Sequence, residues 1–131
     1  MSDPLLAHVG WKIIEYSDGK PKFMFCGLHG SRDIEVNRWL HAENKTVTDG
    51  TGTEYLSGFH VLPRDLELMR KYALRFKNFE NKVVVQVVYQ DAKPKPTKNS
   101  PALLAGRILL WEEDLHTAVP LKLLVDSRQR P

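Results

Sequence analysis

The chain has 131 residues, 42% apolar and 27% charged, with 19 Lys and Arg against 16 Asp and Glu for a net charge of +3. That balance suits one domain with a core of its own and excludes a disordered or histone-like chain, while permitting nucleic acid or an acidic partner. No twenty-residue apolar run and no basic-then-apolar leader is present, and the lone Cys26 cannot form an internal disulfide, so a soluble cytoplasmic protein without membrane contact is expected.

Taken in chain order, residues 9–16 and 22–26 flank Asp18-Gly19 and Pro21, a strong turn signal, and read as an N-terminal β-hairpin. Residues 27–33 break the pattern with two glycines. Residues 33–36 read as a short strand or the start of a helical turn, and residues 38–42 as a helical turn that Trp39 and Leu40 anchor to the core. Residues 44–53, with four threonines, two glycines and Asp49, read as a surface loop.

Residues 54–62 are expected as a strand with Tyr55, Phe59 and Val61 on one face and Leu56, Gly58, His60 and Leu62 on the other. Pro63 cannot continue a ladder, so strand should give way to helix there. The spacing of Leu66, Met69, Ala73 and Phe76 predicts an amphipathic helix over 65–76, widened by Leu68 and Tyr72. Asp65 and Glu67 at its start and Arg70, Lys71, Arg75 and Lys77 towards its end match the helix dipole.

Val83 to Tyr89 is nearly all β-branched and reads as a central strand covered by that helix. Residues 91–101, with Lys93, Lys95 and Lys98 among alternating prolines, are expected as an exposed, extended loop. Residues 103–111 form a further strand, residues 119–125 an edge strand with Pro120 at the sheet margin, and residues 126–131 a frayed end. The sum is a single α+β domain over 1–131, mostly antiparallel sheet, with one main helix.

Candidate chemistry is sparse. His29, His41 and His60 sit near glycines or turns, without the spacing or cysteine partners of a metal site. The run from Gly27 to Arg32 could cradle a phosphate with Arg32 as charge partner, or be a plain turn; it lacks the dinucleotide fingerprint and the P-loop lysine. Cys26, three residues before His29, is either a nucleophile or a buried free cysteine. Lys93, Lys95 and Lys98 with Arg70, Lys71, Arg75 and Lys77 form either a phosphate-binding patch or the solvated face of the helix.

A hairpin, His29-Gly30, the aromatic strand Ser57-Gly-Phe-His-Val61, a helix containing Tyr72-Ala73 and the strand Val83 to Val88 together resemble, over residues 22–89, the layout of the ADP-ribosyltransferase fold. That resemblance implies NAD as ligand, with His29 on the ribose, Arg32 on the pyrophosphate, and Phe59 and His60 walling the nicotinamide. Glu112 or Glu113 would be the carboxylate facing oxocarbenium charge. Gly30-Ser-Arg32, Trp39 and Ser57 to Leu62 also resemble small accessory proteins of phages and prophages. This implies a cofactor-free factor in the host cytoplasm that binds a host protein, such as a defence protein it would inhibit, through Lys93, Lys95, Lys98, Arg70 and Lys71. A single-stranded nucleic-acid module on the same cations is the third reading.

Overall fold

The structure is a computed structural model and describes residues 7–24, 32–43, 45–48, 52, 54–76, 78–94 and 101–129. In chain order its strands are β1 (His8–Ser17), β2 (Lys20–Phe23), β3 (Arg32–Asp33), β4 (Trp39–His41), β5 (Thr46–Thr48), β6 (Glu54–Leu56), β7 (Phe59–Val61), β8 (Lys82–Pro94), β9 (Leu103–Leu109) and β10 (Val119–Pro120). Helix α1 (Leu66–Ala73) lies between β7 and β8, and α2 (Leu121–Gln129) follows β10. The architecture is α+β, and every strand pairing among the described residues is antiparallel.

The hairpin forms as expected. Asp18 and Gly19 take φ of 55° and 75°, the two positive values that a two-residue turn needs to match strand twist. β1 then runs the length of β8, from His8 opposite Tyr89 to Glu15 opposite Lys82. Alternation sorts their side chains onto two faces. Ile14, Val83, Val85, Val87 and Tyr89 join Val61, Ala105, Ile108 and Leu110 in one core. Ile13 and Val84 point the other way and meet Met69 and Ala73 of α1 and Leu121 and Val125 of α2. The helix therefore covers the valine strand as its stripe predicts, and a fully buried Met69 contributes roughly 2 kcal/mol.

The sheet also turns back on itself. β8 pairs with β9, β9 pairs with β7, and Trp11 of β1 exchanges two backbone hydrogen bonds of 2.8 Å with Leu62 just past β7. β2 covers this edge of β1 only from Glu15 onward, which leaves Trp11 open to Leu62. The circuit β1–β8–β9–β7 thus closes around the first core.

Several sequence expectations are corrected. α1 is shorter than 65–76, because Asp65 is its N-cap, accepting from the Leu68 N–H at 3.1 Å, and the chain tightens after Ala73. Trp39 and Leu40 lie on β4 against β9 rather than in a helical turn, since Leu40 lies across from Ile108 in the core. Ser57-Gly58 interrupts the expected 54–62 strand: β6 pairs with β5, inside the expected 44–53 loop, whereas β7 pairs with β9. Residues 91–94 of the expected 91–101 loop belong to β8, and 95–100 lie outside the described residues. The expected edge strand 119–125 is the two-residue β10 followed by α2, where Leu121, Leu124 and Val125 follow helical rather than alternate spacing.

Gly10 marks the tightest approach in the closed circuit. A Cβ there would stand 2.5 Å from the Leu62 carbonyl oxygen and 2.7 Å from the Tyr89 ring. Gly10→Ala should therefore lower stability by about 2 kcal/mol in urea denaturation, because backbone, not a flexible side-chain tip, must yield. Burial raises the Tyr89 phenol above its ordinary value of 10.0. The folded state then holds this proton more tightly than the unfolded one, so stability present below pH 10.0 is lost as pH rises towards the raised value. Tyr89→Phe should flatten that alkaline loss in a series of denaturation curves.

Candidate functional site

The most polar feature of the interior is one the sequence reading did not single out. On β1, Gly10, Lys12 and Ile14 share a parity, and Ile14 faces the core, so Lys12 is carried inside and is only 7% exposed. Its Nζ donates to the His60 carbonyl at 2.8 Å and lies 5.7 Å and 6.0 Å from the ring centres of Phe23 and Phe59. Those two rings stack on each other at 5.4 Å. The ammonium is thereby held by a carbonyl dipole and two aromatic faces, and it ties β7 to β1 beside the Trp11–Leu62 bridge. The sequence carries little signal for it, because Val9, Trp11 and Ile13 on the other parity are as apolar as Gly10, Ile14 and Tyr16.

This arrangement places the residues assigned to a nicotinamide wall. Phe59 packs in the core with Phe23, and His60 alternates with the core-facing Phe59 and Val61, so its side chain lies on the other face of β7. Glu112 opens a 3-10 turn (Glu112–Thr117), is exposed, and its N–H donates to the Asn37 side-chain oxygen at 2.8 Å. His60 stands opposite Leu104, whereas Glu112 follows the end of β9, so the strand separates them by roughly 20 Å. Burial and then the charge of Glu113 raise the Asp114 carboxyl in the same turn above its ordinary value. Arg32 pairs with Phe23 through its backbone. Cys26, His29, Lys95 and Lys98 lie outside the described residues. Among the described residues, no three His, Cys, Asp or Glu side chains are grouped to hold a metal ion, and no helix is long and apolar enough to cross a membrane.

The strand ends of the hairpin frame an open depression of about 370 Å³ lined by Glu15, Asp18, Lys20 and Lys22 with Ser17 and Asn81. Two acidic and two basic side chains line it, so it favours no ligand of one sign.

The outer side of α1 is more distinctive. Leu66, Arg70 and Leu74 recur at intervals of four and form one stripe. Leu66 is 43% and Leu74 49% exposed. Between them Arg70 reaches Glu67 only at 3.4 Å, and its Nε is buried with no hydrogen-bond partner. Lys71 and Arg75 are exposed on the same helix and its C-terminal turn, while Lys93 is exposed at the far end of β8. The structure therefore sets Arg70 and Lys71 on a helical surface and Lys93 on a sheet. Comparison of the chain with protein-family models, with curated proteins and with solved structures finds no match.

Proposed function

We propose that this protein is a binding module that acts by occupying a host partner protein, with the outer side of α1 as its contact surface. The observation that carries this reading is Arg70. A buried donor without an acceptor is destabilising by about 1–3 kcal/mol, and an exposed Glu67 at 3.4 Å returns little of that. A helix built only to cover the sheet has no use for a guanidinium there. Two exposed leucines flanking an arginine, with Lys71 and Arg75 alongside, combine the apolar anchors and the arginine that protein interfaces favour. The cations suit an acidic partner and speed its encounter.

Stability and binding should separate at this position. Arg70→Met keeps the apolar stem and removes the orphaned donor, so it should raise stability by about 1 kcal/mol in urea denaturation. In affinity capture from host-cell extract, the wild type should retain one stoichiometric protein that both Arg70→Met and Leu74→Glu lose. Retention of that protein by both variants contradicts the reading, and so does a captured species that nuclease releases.

A further inference from the structure

We infer that the outer face of the sheet where β4, β9 and β8 run side by side carries a phosphate-binding site, with Arg107 and His41 as its donors and Asp91 as the residue that positions Arg107. This site is separate from the α1 surface and independent of the role proposed for it.

Cross-strand register assembles the group. His41 stands directly opposite Arg107, and Arg107 directly opposite Gln90, the neighbour of Asp91. The Ala42 N–H donates to the Gly106 carbonyl at 2.8 Å, which makes 42 and 106 a hydrogen-bonded pair. His41 and Arg107 are then the adjoining non-bonded pair, where opposed side chains come closest, with Cβ atoms about 5 Å apart. Both point outward, because their neighbours Leu40 and Ile108 pack in the core. On this face His41 is exposed and the Arg107 side chain is 40% exposed, while Gln90, directly opposite Arg107, is buried beside them.

The backbone is shaped around the third member. Asp91 has φ of 58° in the middle of a thirteen-residue strand, a left-handed conformation that an aspartate rarely adopts inside a ladder. The residue facing it is Gly106, where a Cβ would come within 3.1 Å of the Asp91 Cβ. The glycine thus makes room for the distortion. The Asp91 carboxylate sits 3.4 Å from the Arg107 Nε, with the two side chains 52% and 40% exposed. The distortion lets Ala92 and Ala105 turn to the core, and it leaves the Asp91 carboxylate beside the guanidinium.

The chemistry then selects the ligand. Asp91 occupies the Nε edge of Arg107, which leaves the terminal amino groups to bind an anion end-on. A carboxylate would be satisfied by those two groups alone. A tetrahedral phosphate has a further oxygen for the His41 imidazole on the next strand, and the planar guanidinium fits phosphate geometry. Nearby Glu43, the remaining carboxylate at the end of β4, is paired with Lys45 at 2.9 Å.

Titration of the full chain with inorganic phosphate at constant ionic strength, followed by NMR of the His ring and Arg side-chain signals, tests this directly. His41 and Arg107 should shift and saturate together, His116 should not move with them, and acetate should give no saturation. Arg107→Gln and His41→Ala should each weaken phosphate binding by about tenfold, and Arg107→Lys, which keeps charge but loses the fork, should also weaken it. Arg38→Gln should leave it unchanged. Equal shifts at His116, unchanged affinity in Arg107→Gln, or saturation by acetate as readily as by phosphate would overturn the assignment.

Discussion

Two backbone hydrogen bonds between Trp11 and Leu62 close the circuit of strands, and the rest of the architecture depends on that closure. Without it, β7 would hang from β9 alone and the core around Ile14, Val85 and Ile108 would be open along one side. An open edge also exposes unpaired donors and acceptors to other chains. The sequence meets the closure with an absence of bulk: Gly10 lets the Leu62 carbonyl and the Tyr89 ring approach together, and Pro63 ends the strand directly after the bridge. Lys12 then holds the same junction from inside, spanning from β1 to the His60 carbonyl.

Closure also decides which surfaces remain for partners. The helices are drawn to Ile13 and Val84, the apolar positions on the outer side of β1 and β8. Their own outer sides are left to solvent, and so is His41 on the outer side of β4. Polar and charged groups at these places have little structural task, which makes Arg70 on α1 and the Asp91–Arg107 pair on the sheet informative. A methionine would suit the helix better than Arg70, and the Asp91–Arg107 pair adds an exposed ion pair at the point where the strand changes parity. Such local conflicts with stability are where function is expected to reside.

Much of the frame was legible in the residues themselves. The Asp18-Gly19 turn, the β-branched run of β8 and the apolar stripe of α1 are local signals, and local physics determines them. The short elements were not legible. β4 is a strand because β9 offers Ile108 and Leu109 as partners, and no pattern in residues 38–42 announces that pairing. α2 had a readable stripe in Leu121, Leu124 and Val125, but Val119-Pro120 ahead of it carries the stronger strand signal. Alternation also fails along β9, where Ala105 and Ile108, of opposite parity, reach the same core beside the distorted Asp91. The sites follow the same rule. Both parities of β1 are apolar, so closure onto β7 decides that Lys12 lies inside, and the meeting of His41, Arg107 and Asp91 needs a three-strand register that spans fifty residues or more of chain.

Backbone amide hydrogen exchange tests the closure most directly. The Trp11 and Leu62 N–H groups should exchange as slowly as those of Val85 and Val87 in the central strand, because opening the bridge would require opening the core. Exchange of the Trp11 and Leu62 amides at the rate of exposed loop residues, with Val85 and Val87 still protected, would contradict a closed circuit.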